Sequence, residues 1–82
     1  MTDIRFQPAN PGFVVVLRGY DRAQVDATVR LAEEALVSGD RVRCAEAVAE
    51  LGGTAFDVRL RGYDRSQVDD YLERMLAALA AT

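Results

Sequence analysis

Apolar and polar residues along this chain follow two periods, and each period occurs twice. Phe56, Val58 and Leu60 alternate with Asp57 and Arg59, the period of two expected of a half-buried strand. Beyond them Val68, Leu72, Met75 and Leu79 fall at helical spacing, making one apolar seam. The same succession comes earlier, with Phe13 to Leu17 extended and Val25, Val29, Ala32 and Leu36 on a helical seam. Val14 and Val16 stand where the later strand has Asp57 and Arg59, so the first strand is expected to be covered on both faces.

Between the two patterns Gly39-Asp40 breaks the chain, with Ser38 or Asp40 as candidate caps. Residues 41–51 read as a short helix with Val42, Ala45, Val48 and Ala49 on one side, and Gly52-Gly53 stand where a C-cap belongs. Near the N-terminus Ile4-Arg5-Phe6 alternates weakly before the turn-rich stretch from Pro8 to Gly12. An additional strand at residues 3–7, paired with 13–17 as a hairpin, follows from that pattern. The expected fold class is α+β and helix-dominated, β-α-α-β-α with this extra N-terminal strand as an addition. It forms a single domain over 1–82, built from repeats 13–37 and 56–80 joined by the helix 41–51.

The repeat is literal. Residues 13–26 and 56–69 are identical at 11 of 14 positions, including an uninterrupted Leu-Arg-Gly-Tyr-Asp-Arg in both. A self-match of that length is the mark of an internal duplication. Its residues suit the start of a helix. Gly19 and Gly62 let the strand turn, and Asp21 and Asp64 are N-caps. Gln24 and Gln67 complete the capping-box spacing, while Tyr20 with Val25 and Tyr63 with Val68 have the spacing of a hydrophobic staple.

Composition narrows the function classes. The net charge is −3, and every basic residue is an arginine; a nucleic-acid-binding domain needs a basic face, so no nucleic-acid partner is expected. Cys44 is the single cysteine, which excludes an intrachain disulfide and a Cys-rich metal site. No apolar run reaches the ~18 residues of a membrane span, and no signal-peptide pattern opens the chain, so a cytoplasmic location is expected. With no histidine and no paired nucleophile and base, no enzyme, cofactor or catalytic residue is expected. Cys44, near Arg41 and Arg43, reads as a small buried apolar residue on the middle helix. Asp69, Asp70 and Glu73 read as a surface cluster, not a metal site.

The pattern Phe-x-x-x-Leu-Arg-Gly-Tyr-Asp-x-x-x-Val-Asp, followed by an apolar-seamed helix, resembles the N-terminal domain of the DivIVA/GpsB family of bacterial cell-division and polar-growth scaffolds. The match covers residues 13–30 and 56–76. It departs from the family in having two motifs and no room for the long coiled coil that follows one. The resemblance implies a non-enzymatic adaptor, cytoplasmic or peripheral at the inner membrane, that binds an anionic membrane surface, a cell-division or cell-wall synthesis protein, or both. Carried over by position, the membrane contacts are Leu17 with Arg18 and Leu60 with Arg61, joined by Arg22 and Arg65 one turn on. The other reading of these residues buries both leucines in the core and pairs the arginines with local carboxylates.

The family's groove for an arginine-bearing peptide maps onto Tyr63, Asp69 and Glu73. The two carboxylates lie at i, i+4 on one helix face, a pairing that suits a guanidinium. The first copy has Tyr20 and Asp26 but Arg30 in place of the second acid, so the second copy is expected to carry peptide binding. A homodimer is expected as well, because two apolar seams need more cover than 82 residues readily supply. The alternative function is a purely structural, homodimerising accessory module without membrane or peptide binding.

Overall fold

In the computed structural model, which describes residues 12–81, the repeated motif starts both of its helices as its chemistry dictates. Asp21 accepts from the Gln24 N–H at 3.0 Å and opens α1 (Arg22–Ser38). Asp64 accepts from the Ser66 and Gln67 N–H groups and opens α3 (Arg65–Ala80). Each helix follows a short strand, β1 (Val15–Tyr20) and β2 (Val58–Tyr63), and α2 (Arg41–Gly53) connects the halves. Gly39 closes α1 with a left-handed φ of 65° and its N–H on the Leu36 carbonyl. Asp40 then caps α2 through the Val42 and Arg43 N–H groups. The architecture is helix-dominated α+β, in the expected order β-α-α-β-α. The expected N-terminal strand at residues 3–7 lies outside the described residues.

Paired strand residues run in opposite directions: Val15 with Tyr63, Val16 with Gly62, Leu17 with Arg61, Gly19 with Arg59 and Tyr20 with Val58. The ribbon is therefore antiparallel, though irregular along its length. One further bridge, Tyr20 with Tyr63, has the parallel sense and marks a crossing of the two strands. Gly19 and Gly62 make that crossing possible. A Cβ on Gly19 would overlap the backbone of Gly62 and Tyr63, and one on Gly62 would overlap Gly19 and the Tyr20 carbonyl. Arg18, just before the crossing, takes φ 60°, a conformation that costs an L-residue about 1 kcal/mol or more.

The seams bury against one another inside the chain. Val25 and Val29 of α1 meet Val68 of α3 and Tyr63, with Phe13, Tyr20, Phe56, Tyr71 and Leu72 packed around them. A second cluster joins Ala32 and Ala35 to Met75 and Leu79 and to Cys44, Ala47 and Leu51 of α2. Cys44 is buried, and its Sγ–H donates to the Ala35 carbonyl at 3.2 Å, tying α2 to α1. Burying a side chain the size of valine stabilises a fold by roughly 1.5–3 kcal/mol, and Val25, Val29 and Val68 of the first cluster are all wholly buried.

Several expectations are corrected. Neither strand is covered as predicted: Val14, Val15, Leu17, Val58 and Leu60 are all exposed, and burial begins only at the glycines. Each end of the ribbon runs into a helix start, Tyr20 before α1 and Tyr63 before α3, and among the described residues nothing covers its middle. In α2 the buried face is Cys44, Ala47 and Leu51, while Val42, Ala45 and Ala49 point outward and Val48 is half-buried. Gly52 and Gly53 are the last two helical residues, and Thr54 is the cap, its hydroxyl donating to the Glu50 carbonyl at 2.7 Å. Nor do the glutamines close capping boxes. The Asp21 and Asp64 N–H groups are taken by the Asp57 and Val14 carbonyls. Gln24 therefore bonds the Asp57 N–H instead, and Gln67 bonds the Val14 N–H. A local cap has become a link between the two halves.

Candidate functional site

The crossing decides which side chains share a site, because it carries each motif tyrosine over to the other half. The Tyr20 hydroxyl donates to Asp69 at 3.0 Å, and the Tyr63 hydroxyl donates to Asp26 at 2.9 Å. The aromatic packing is exchanged in the same way. Tyr20 packs on Phe56 with ring centroids 5.1 Å apart, and Tyr63 on Phe13 at 5.3 Å. Burial, together with the Asp69 carboxylate, raises the Tyr20 pKa above its usual value and keeps the hydroxyl a donor.

This corrects the grouping read from the sequence. Tyr63 is buried and belongs with Asp26, so it does not stand beside Asp69 and Glu73. The tyrosine at those carboxylates is Tyr20, from the first copy. Tyr20, Asp69 and Glu73 line an open groove of about 430 Å³. Its floor is apolar, formed by Leu51, Phe56, Leu72 and Leu76. Asp69 and Glu73 are exposed at its rim. Such a groove offers acceptors to a cation at one side and apolar cover to the stem that carries it. At the equivalent place in the other half, Arg30 is exposed beside Asp26 and the second carboxylate is absent.

The second cluster of predicted residues is the strand ribbon itself. Leu17 is 68% exposed and Leu60 75%. Leu17 lies opposite Arg61, so both leucine–arginine pairs occupy the same short stretch of ribbon. Arg18, Arg22, Arg61 and Arg65 are exposed, and among the described residues none of the four forms an ion pair. Arg18 and Arg65 line one depression with Leu17 and Ser66, which brings an arginine of each copy together. The reading that buried the leucines and paired the arginines therefore does not describe this ribbon.

Arg59 behaves differently. Its Nε lies 2.8 Å from Asp21, and its guanidinium is 3.6 Å from Asp57. That contact, more than the Gln24 N–H, holds the Asp21 carboxyl below its ordinary range. Sequence reasoning passed over Arg59, because nothing in one dimension places it beside the N-cap of the other copy.

Among the described residues no helix is long and apolar enough to cross a membrane, and no three metal-ligating side chains come within reach of one ion. Comparison with known protein families, curated proteins and solved structures finds no match to this chain.

Proposed function

We propose that the chain is a single-chain counterpart of the DivIVA/GpsB-like N-terminal domain, made by internal duplication. In this reading it is a non-enzymatic adaptor in bacterial cell division or envelope growth, peripheral at the cytoplasmic face of the inner membrane. The observation that carries the reading is the exposure of Leu17 and Leu60 beside exposed arginines that, among the described residues, form no ion pair. Apolar side chains held in water next to exposed guanidinium groups make an amphipathic tip. An anionic bilayer satisfies both parts, with shallow insertion of the leucines and about 1 kcal/mol of attraction per arginine. The attraction works against a net charge of −3, so attachment is weak and sensitive to salt.

Co-sedimentation with anionic and neutral vesicles tests it. Binding to anionic vesicles at low salt is expected, with release on adding salt and loss in a Leu17→Ser/Leu60→Ser variant. No binding at low salt removes the membrane role, and binding unchanged by the double substitution leaves it to the arginines alone.

The groove supports a second activity, capture of an arginine-bearing segment of a cell-division or cell-wall synthesis protein. What favours it is the pairing of Asp69 and Glu73 over an apolar floor, with Tyr20 bonded to Asp69. Asp69→Ala is expected to abolish binding of such a peptide, and Asp26→Ala to leave it nearly intact, as read by fluorescence anisotropy. Equal losses would mean that Arg30 does not disable the first copy. A chain inert in both assays would be a structural accessory module instead.

A further inference from the structure

We infer, resting on the reading of the groove as an arginine site, that its occupant is the ribbon tip of a second molecule of this chain, seated reciprocally across a two-fold axis. Tyr20 and Asp69 line both the groove and the depression beside it, so the two are continuous around that hydrogen-bonded pair. On one side stand Leu17, Arg18 and Arg65. On the other, Glu73 stands with the apolar floor of Phe56, Leu72 and Leu76.

Each side offers what the other takes. Arg18, Asp69 and Glu73 are exposed, and among the described residues none of the three forms an ion pair. Asp64 also lines the depression, but the Ser66 hydroxyl and the Ser66 and Gln67 N–H groups occupy it. A guanidinium takes paired carboxylate acceptors, and a leucine takes apolar cover. Within one chain the two do not meet, since Leu17 stays 68% exposed. A patch that carries both halves side by side is self-complementary. Turned about a two-fold axis, each Leu17–Arg18 corner faces the carboxylates of the other molecule, and every contact is made twice.

The chain carries this patch once. In the other half Arg30 replaces the counterpart of Glu73. Arg59, which stands where the first half has Val16, is held by Asp21 and Asp57. One patch per chain closes the assembly at two molecules. Two such corners are small beside the ~800 Å² per partner of a stable complex, and each chain brings a net charge of −3. Association is therefore weak and concentration-dependent. A tip seated in a groove is withdrawn from a bilayer, so an anionic surface and a second molecule compete for it.

Sedimentation equilibrium of the whole chain at low salt, from micromolar to millimolar concentration, tests it. A reversible dimer of twice the 9.0 kDa chain mass is expected, and nothing larger. Arg18→Glu and Glu73→Arg should each weaken it at least about tenfold, with thermal melts like the parent's because both residues are exposed. Mixed together, the two variants should dimerise again, since opposite charges then meet at both corners; the doubly substituted chain should do the same. The groove alone is read with N-acetyl-leucyl-arginine amide, by amide NMR shifts at Asp69 and Glu73 in dilute chain. Dipeptide binding by a chain that stays monomeric at every concentration overturns the self-association and leaves the groove standing. Neither dipeptide binding nor a dimer removes both. A dimer unmoved by either charge reversal, variants that fail to recover when mixed, or growth beyond two molecules also overturns the proposal.

Discussion

Asp21 and Asp64 hold the same position in their copies and cap their helices alike, yet different neighbours depress their pKa values. For Asp21 the first cause is the Arg59 side chain, and for Asp64 it is the Ser66 hydroxyl, at 2.7 Å. Depressed carboxylates stabilise the fold above their ordinary value of 3.8, and that contribution is lost as pH falls below it. Acid titration followed by circular dichroism is therefore expected to show destabilisation beginning below about pH 4. Asp21→Ala and Asp64→Ala should each lower the denaturation midpoint at neutral pH and flatten that acid limb.

Tyr71 works in the other direction. Burial first, then the Glu33 carboxylate 3.2 Å from its hydroxyl, push its pKa up to about 12. Its contribution is complete below pH 10 and lost as pH rises through about 12. Absorbance titration of the three tyrosines should show one that ionises near pH 12. Since burial is the larger cause, Glu33→Gln should bring it down without restoring the ordinary value.

At the scale of elements, the glycines separate into two groups with opposite expected outcomes. Gly19 and Gly62 sit where the strands cross, and a methyl on either would overlap backbone that cannot move aside. Gly19→Ala or Gly62→Ala should cost about 3 kcal/mol or more, read by chemical denaturation, because the crossing and both tyrosine exchanges depend on that approach. Gly52 lies in helical backbone with open space around it. Gly52→Ala should stabilise α2 by about 0.5–1 kcal/mol through helix propensity alone. In the α1–α3 contact, Val29 is wholly buried, and Val29→Ala should cost about 2 kcal/mol in lost burial and packing. These substitutions distinguish a crossing that forms the fold from a helix that only completes it.

For the whole molecule, the two halves are partners of each other. Every strand pairing, the three tyrosine–carboxylate bonds and the exchanged aromatic contacts join one copy to the other. The seams that led to the expectation of a homodimer find much of their cover inside the chain. A fragment holding residues 12–40 alone would expose Val25 and Val29 and leave Phe13 and Tyr20 without partners. It should be unfolded as a monomer by circular dichroism and gain structure on mixing with a fragment of residues 41–82. A folded isolated fragment would show that the crossing is dispensable.

The sequence by itself determined what is local. Alternation and helical spacing located the strands and helices, and the motif aspartates marked where α1 and α3 begin. The identical motifs were equally legible, because capping, periodicity and repetition are properties of the chain itself. What lay beyond it was the relation between the copies. Which tyrosine stands beside Asp69 and whether Leu17 and Leu60 face core or water depend on the strand crossing, and which side of α2 is buried depends on its packing against α1 and α3. That crossing is set by how two strands and three helices share a small apolar volume. Tyr63 and Tyr20 are the same residue in the same motif, so no reading of either copy alone could assign them to opposite sites. Only the packing of one half on the other, through backbone that passes at Gly19 and Gly62, could do so.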